Sequence, residues 1–237
     1  MEGKQIIRYD GEDEGTMTKK REATIVFTDT MEREALEGVD VHSRDQHGET
    51  PLITAIRAQC KIDILSALLE AGSVVDARQD QELTAFLVAS SCNRNLEVLS
   101  LLLEHGASLE SLDEEGRNGL MLASLSNDNA EVISYLLEKG FDVNARDEWG
   151  ATSLMYAAQA NANPEVLKRL LHAGAVIEAR DEGEMTALMY AAQSNSNKDI
   201  VLTLLQAGAD ASLVDCEGKT FKDYSEENPM IKHSILL

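Results

Sequence analysis

The feature that most constrains this chain of 237 residues is an internal repeat of 34 residues. Glycine recurs at that interval six times, and threonine, alanine, acidic residues and pairs of leucines recur in register with it. The glycine column is Gly38, Gly72, Gly106, Gly140, Gly174 and Gly208. Several columns in register indicate one structural unit that is repeated along the chain and stacked on its neighbours.

One unit shows what each repeat is expected to form. Thr152 precedes an apolar segment, and its hydroxyl is predicted to cap a first helix there. After a turn, Val166, Leu167, Leu170 and Leu171 are predicted to form the apolar stripe of a second helix. Gly174 is predicted to end that helix in a left-handed conformation. Each unit is therefore two short antiparallel helices and a hairpin-like loop, and it buries its stripe only by stacking.

The stretches "DQHGETPLITAI", "DEWGATSLMYAA" and "EVISYLLEKGFDVNAR" resemble the ankyrin repeat from about residue 29 to the C-terminus, with five full units. The resemblance implies an all-α repeat fold, an α-solenoid of stacked helix–turn–helix units with short β-hairpin-like loops. The chain departs from the family because the turn between its helices is one residue longer. The family's histidine is also replaced, by Ile53, Leu87, Met121, Met155 and Met189. Tetratricopeptide repeats share the period, but their tryptophan, glycine–tyrosine and proline columns are absent.

The ends of the array depart from the repeat and are expected to cap it. We assign residues 1–22 to a tail or a degenerate first helix, and residues 23–237 to one ankyrin domain. The domain comprises an N-terminal cap to about residue 44, five repeats over about 45–214, and a C-terminal cap over 215–237. The N-terminal cap matches the second helix and hairpin of a unit. The C-terminal cap is expected to end in a short helix that begins at Asn228.

Two asparagine columns lie in the lengthened turn between the helices. The first is Asn93, Asn127, Asn161 and Asn195, and the second is Asn95, Asn129, Asn163 and Asn197. The first column is predicted to adopt the left-handed conformation for which the family uses glycine. The second is predicted to cap the following helix. The sequence leaves open whether these side chains also bond along the stack.

The composition restricts the partners. Acidic residues outnumber basic ones by 42 to 21, which gives a formal net charge of −21. Such a surface repels phosphate backbones and anionic lipid, so we expect a basic protein or peptide partner, and neither nucleic acid nor membrane. No apolar run is long enough to span a bilayer or to form a secretory signal. The three widely spaced cysteines favour a reducing compartment, and we expect a cytoplasmic protein.

No group of residues has the pattern of a catalytic, cofactor or metal site. The five histidines do not recur beside a serine or cysteine, and the motifs of hydrolases, metalloproteases and phosphate-binding loops are absent. We therefore expect no enzyme activity and no cofactor. The acidic loops at 113–116 and 147–150 lack the spacing of a calcium loop and are interpreted as solvated turns. The hairpin context of Asn144 resembles that of hydroxylated ankyrin asparagines in animal cells, which suggests the hypothesis that Asn144 is hydroxylated.

In the ankyrin family, the variable positions at the loop tips and along the first helices form a concave partner surface, and the resemblance implies that role here. The tip positions are Leu83, Glu115, Glu148, Trp149, Glu182 and Met185. The first-helix positions are Leu122, Leu125, Tyr156, Gln159 and Tyr190. Tryptophan and tyrosine often anchor interfaces, and Trp149 is the single tryptophan of the chain. We predict non-enzymatic protein–protein recognition through a concave face with an acidic rim and an aromatic centre.

Alternatives to this function remain open. An inhibitor or immunity-type protein would use the same acidity to occlude the active site of a basic toxin or nuclease. A scaffold would self-associate, whereas we expect a monomer. In a purely structural interpretation, Tyr156 and Tyr190 pack between units and Trp149 folds onto the neighbouring loop.

Overall fold

The computed structural model describes residues 27–30 and 32–231, and the predicted tail at 1–22 lies outside them. Five helix pairs follow one another in this part of the chain, and one further helix follows the last pair. The first helices are α1 (Pro51–Arg57), α3 (Ala85–Cys92), α5 (Gly119–Ser126), α7 (Ser153–Ala160) and α9 (Ala187–Ser194). The second helices are α2 (Ile62–Glu70), α4 (Leu96–Glu104), α6 (Ala130–Glu138), α8 (Pro164–His172) and α10 (Lys198–Gln206), and the further helix is α11 (Phe221–Glu227).

The fold is the all-α repeat that the sequence predicts. Within the described residues there is no strand, only an isolated bridge between Val214 and Thr220, so the hairpin-like loops are turns. First helices pack against first helices of the adjacent units, and second helices against second helices. The units are therefore stacked side by side in chain order.

The repeat columns set where each helix starts and ends. At the start of α9, the Thr186 hydroxyl accepts a hydrogen bond from the backbone N–H of Met189 at 3.4 Å. Thr152 is an exception to the prediction, because its buried hydroxyl makes no hydrogen bond. Each second helix ends two residues before a predicted glycine, and that glycine has a left-handed backbone, with φ of +90° at Gly174. A residue with a Cβ is strained in that conformation, which explains the glycine column.

The core is one continuous layer shared between the units. A column of fully buried alanines lies where the first helices approach one another: Ala55, Ala89, Ala123, Ala157 and Ala191. The stripe of the second helices is buried in the same way at Leu68, Leu102, Leu136, Leu170 and Leu204. Burying such a leucine side chain stabilises the fold by about 2 kcal/mol. Because this gain comes from contacts with neighbouring units, each unit depends on the stack.

The first asparagine column forms a hydrogen-bonded ladder along the stack. The amide nitrogen of Asn161 donates to the backbone carbonyl of Ser124 at 2.9 Å and to that of Asn127 at 3.0 Å. Asn127, Asn195 and Asn228 make the same pair of bonds to the preceding unit. The predicted left-handed conformation is wrong, since Asn161 is extended with φ of −71° and ψ of 133°. The ladder accounts for this difference, because the buried side chains of Asn127, Asn161 and Asn195 donate to carbonyls of the unit before them.

The second asparagine column caps the second helices as predicted. Asn163 accepts the backbone N–H of Glu165 at 3.0 Å, and its amide nitrogen donates to the carbonyl of Asp128 at 2.8 Å. Asn129 and Asn197 have equivalent bonds. The relative placement of neighbouring units therefore depends on directional bonds as well as on apolar packing.

The two ends differ in part from the expectation. In place of a second helix, the N-terminal cap has one 3₁₀ turn at Arg33–Leu36. Glu34 occupies a position of the leucine pair and is exposed, so a longer helix would have little apolar surface to bury there. At the other end, α11 ends at Glu227, directly before Asn228, where the predicted final helix would begin, and residues 232–237 lie outside the described part.

Candidate interaction surface

Six tight turns, here called the tips, connect each second helix or cap to the next first helix. They comprise residues 45–49, 79–83, 113–117, 147–151, 181–185 and 215–219. In each tip, the N–H of the first residue donates to the carbonyl of the fifth, as Asp147 does to Ala151 at 3.1 Å. One oxygen of the Asp147 carboxylate also accepts the N–H groups of Trp149 and Ala151, at 2.9 and 2.8 Å. Because the carboxylate accepts backbone N–H groups of its own turn, it holds the turn in one conformation. The tip is therefore a rigid support for the side chains that it exposes.

Consecutive tips are also joined to each other. The N–H of Glu148 donates to the carbonyl of Glu115 at 3.2 Å, and the N–H of Glu182 donates to that of Trp149 at 2.9 Å. Arg146 donates to the carbonyls of Gly150 and Arg180, at 2.6 and 2.5 Å, and so connects one tip to the residue that directly precedes the next tip. The tip side chains are therefore held at the spacing of the repeat.

The fourth residue of each tip has a left-handed backbone. Glycine occupies this position in four tips, but Glu82 and Glu184 occupy it in the other two, both with φ of +59°. At Gly116 a Cβ would also lie 2.9 Å from the Cγ of Glu148 and 3.2 Å from its backbone nitrogen. Glycine thus relieves backbone strain at this position and allows neighbouring tips to touch.

Exchanging these residues should change stability in opposite directions. We expect Glu184→Gly to raise the free energy of unfolding by roughly 0.5–1 kcal/mol, since relief of strain exceeds the loss of its exposed ion pair with Arg180. Gly116→Ala should lower it by about 1–2 kcal/mol. Urea unfolding followed by circular dichroism measures both. Destabilisation by Glu184→Gly would show that the ion pair contributes more than the strain costs.

Three tyrosines of the first-helix face are bonded to the aspartates that organise the tips. The hydroxyls of Tyr156, Tyr190 and Tyr224 donate to the second carboxylate oxygens of Asp147, Asp181 and Asp215, the second of these pairs at 2.5 Å. Burial and these hydrogen bonds hold the pKa of Tyr156 and Tyr190 well above the usual range, and for Tyr224 the hydrogen bond is the larger cause. The sequence reasoning missed these pairs. The pairs are visible in the sequence, because three successive units have an aspartate followed nine residues later by a tyrosine.

Trp149 is the large aromatic side chain that this surface exposes. It is 62% exposed, so it does not fold onto the neighbouring loop. Tyr156 and Tyr190 are half-buried against the core, and their hydroxyls are already satisfied. The alternative in which these side chains only pack within the protein therefore applies in large part to the two tyrosines, and it does not apply to Trp149. A solvated indole on a rigid tip has the exposure that an interface anchor needs.

The predicted apolar positions divide into buried and accessible ones. Leu122 is only 6% exposed, so its predicted place in an accessible row is wrong. The chain packs α5 between α3 and α7, and the position that bears a tyrosine in later units is there filled by a leucine short enough to be covered. Leu83 and Met185 are half-buried against the core. Leu125 lines a shallow groove of ≈ 420 Å³ at the ends of α3, α5 and α7, and Gln159 is half-buried.

The predicted acidic residues also differ from one another. Glu115 pairs with Arg117, whose guanidinium also bonds the buried Asp113 at 2.8 Å and lies 5.9 Å from the centre of the Tyr156 ring. Glu148 and Glu182 are exposed and form no ion pair within the described part of the chain. Two unpaired carboxylates are therefore available to a partner near Trp149, one on its own tip and one on the next tip.

The remaining possibilities are hydroxylation of Asn144, metal binding and a membrane-spanning helix. The Asn144 amide oxygen accepts the N–H of Val176 at 2.8 Å, and its nitrogen donates to the Gly174 carbonyl at 3.1 Å. Asn144 is therefore hydrogen-bonded to the next unit. Its hydroxylation stays a prediction. Among residues 27–30 and 32–231, no group of three His, Cys, Asp or Glu side chains could hold a metal ion. None of the described helices is both long and apolar enough to cross a bilayer.

Comparison with known protein families gives one consistent result. The family model described as "Ankyrin repeats (3 copies)" matches four overlapping stretches, at residues 28–113, 61–147, 87–181 and 120–215. Together they extend from residue 28 to residue 215, which is well over half of the chain. No curated protein matches the sequence at a significant level.

Proposed function

The chain belongs to the ankyrin repeat family, whose repeats are protein–protein interaction modules, and we propose that it recognises a basic protein through its tips and first helices. The observation that carries the proposal is the exposed indole of Trp149 on a tip whose backbone is bonded on both sides. Apolar surface that the fold leaves in water at a rigid position favours burial by a partner. The net charge of −21 would steer a basic partner toward this face.

A set of three substitutions on this face tests the proposal. Gln193 is exposed in α9 at the position that Gln159 has in α7. We expect Trp149→Ala, Gln159→Ala and Gln193→Ala together to reduce capture of a specific partner by at least about tenfold, since a buried aromatic anchor commonly contributes 2 kcal/mol or more. None of the three side chains makes a hydrogen bond that the fold needs, so the melting curve should stay unchanged. Quantitative affinity capture and thermal unfolding measure the two effects.

The matched control changes the opposite side of the same units. Glu138, His172 and Gln206 lie exposed at the ends of α6, α8 and α10, and their replacement by alanine should leave capture unchanged. Equal loss in both variants, or no loss in the tip variant, would contradict the proposal. This design separates surface recognition from a general effect of substitution.

Two other functions use the same surface differently. An inhibitor or immunity-type protein would abolish the activity of its basic partner on binding, which a toxin or nuclease assay detects. A self-associating scaffold would exceed the mass of 25.9 kDa in light scattering, whereas we propose a monomer. We also propose a cytoplasmic location, which three free cysteines favour.

A further inference from the structure

Resting on the proposed recognition role, we propose that the tips hold an extended basic segment of the partner, with a cationic side chain at every third residue. The surface consists of four acidic residues, here called the tip acid row, together with Trp149. The tip acid row comprises Asp80, Glu114, Glu148 and Glu182, which occupy the same position in four successive tips.

The tip acid row differs from the other glutamates of the tips because it is not neutralised by a basic residue. All four side chains are exposed, and none forms an ion pair with a described residue. By contrast, Glu49, Glu82, Glu115, Glu184 and Glu217 each pair with a lysine or arginine of this chain. Like charges in a row repel one another and disfavour the folded state. A ligand that places cations beside these carboxylates would relieve this repulsion, which the described basic residues of the chain do not do.

The spacing of the row is fixed by the backbone. The N–H groups of Glu114, Glu148 and Glu182 donate to the carbonyls of Gln81, Glu115 and Trp149 in the preceding tips, at 2.9 to 3.2 Å. Stacked helices of this kind lie about 8–10 Å apart, so successive carboxylates are expected to be separated by about that distance. A chain in the extended polyproline II conformation advances about 3.1 Å per residue with three residues per turn, so side chains three residues apart lie on the same face and about 9 Å apart, which is close to one repeat. Cations at positions i, i+3, i+6 and i+9 match the four carboxylates.

Trp149 supplies the second, independent element of this surface. Its indole is 62% exposed and follows Glu148 directly, and its own carbonyl accepts the N–H of Glu182. A guanidinium or ammonium group over an indole is stabilised by roughly 0.5–1 kcal/mol at an exposed site, and its aliphatic stem covers the ring. The tip acid row ends where Gln46 and Cys216 replace the acid, so four cations fill it.

Two peptides of equal charge and composition test the spacing. Fluorescein-labelled RGSRGSRGSR has an arginine at every third residue, whereas RRRRGSGSGS has them together and reaches about two carboxylates at once. We expect the spaced peptide to bind at least about fivefold more tightly by anisotropy, since each additional exposed pair contributes about 0.5 kcal/mol. It should also change the emission of Trp149, which is the single tryptophan, and it should weaken as salt is raised.

Charge-reversal variants locate the site. Glu114→Lys, Glu148→Lys and Glu182→Lys together should abolish the preference for the spaced peptide. The control variant, with Glu104→Lys, Glu110→Lys and Glu138→Lys, changes the net charge equally at exposed positions away from the tips and should keep it. Trp149→Ala should weaken the spaced peptide by about twofold to fivefold. Unchanged circular dichroism melting establishes that each variant is folded.

The outcomes separate this inference from the proposed function. Equal affinity for the two peptides, or loss of the preference in the control variant, would overturn the spaced-cation binding mode. In one outcome, the variant with lysine at the three tip positions still captures the natural partner while the variant at Trp149, Gln159 and Gln193 does not. That result would support the proposed recognition surface and show that the tip acid row does not bind the cations of the partner. If both variants capture the partner as the wild type does, the proposed function itself fails.

Discussion

Replacing Asn161 by alanine is expected to lower the free energy of unfolding by roughly 3 kcal/mol, although the side chain binds no ligand. Asn161 is 2% exposed, and its amide donates to two carbonyls of the preceding unit while its oxygen accepts the N–H of Asn163. Alanine removes three hydrogen bonds at once and leaves buried backbone groups without partners. Urea unfolding followed by circular dichroism measures the change.

Two further variants identify the cause. Asn161→Asp keeps the acceptor but places an oxygen against the Ser124 and Asn127 carbonyls, so we expect it to be at least as damaging as alanine. Ser196→Ala lies in the corresponding turn one unit later and is exposed, and it should change stability by less than about 0.5 kcal/mol. A small effect of both Asn161 variants would mean that apolar packing alone orders the stack.

Alkaline pH is expected to destabilise the chain through the three tyrosine–aspartate pairs. The pKa of Tyr156, Tyr190 and Tyr224 is raised from the usual 10.0, so the folded state keeps three protons that the unfolded state releases. The stability from these protons is fully present below pH 10 and is lost as the pH rises above it. The slope is at most about 1.4 kcal/mol per pH unit for each tyrosine, and less for the partly exposed Tyr156 and Tyr190.

The variant with Tyr156→Phe, Tyr190→Phe and Tyr224→Phe isolates this effect from the titration of lysines. It should be less stable at pH 8, because three hydrogen bonds are lost, but its stability should fall less steeply above pH 10. The urea midpoint measured from pH 8 to pH 11.5 gives both quantities. Parallel curves for the variant and the wild type would show that these hydroxyls do not keep their protons in the folded state.

The two effects have the same origin in the stack. The asparagine ladder joins the turns between helices, and the aspartates join the tips to the first helices through tyrosine. Trp149 and the tip acid row project from the second of these networks. Because these networks already order the binding surface, it has less conformational entropy to lose when a partner binds, which suits the proposed recognition role.

The repeat pattern is enough to predict the fold, because a stack of equal units requires the same residue at the same place in each. Glycine at Gly174 and its equivalents, the small Ala157 column and the leucine stripe follow from local backbone and packing needs, so a period of 34 was enough to predict them. Trp149 could be proposed as exposed for the same reason, since it breaks the pattern of its column.

The contacts between groups of different units could be identified only from the folded chain. The ladder from Asn161 to Ser124 and Asn127 spans 37 and 34 residues, and its extended conformation depends on carbonyls in another unit. The burial of Leu122 depends on the neighbouring helices on both sides. A single unit does not contain these contacts, and its sequence therefore could not specify them.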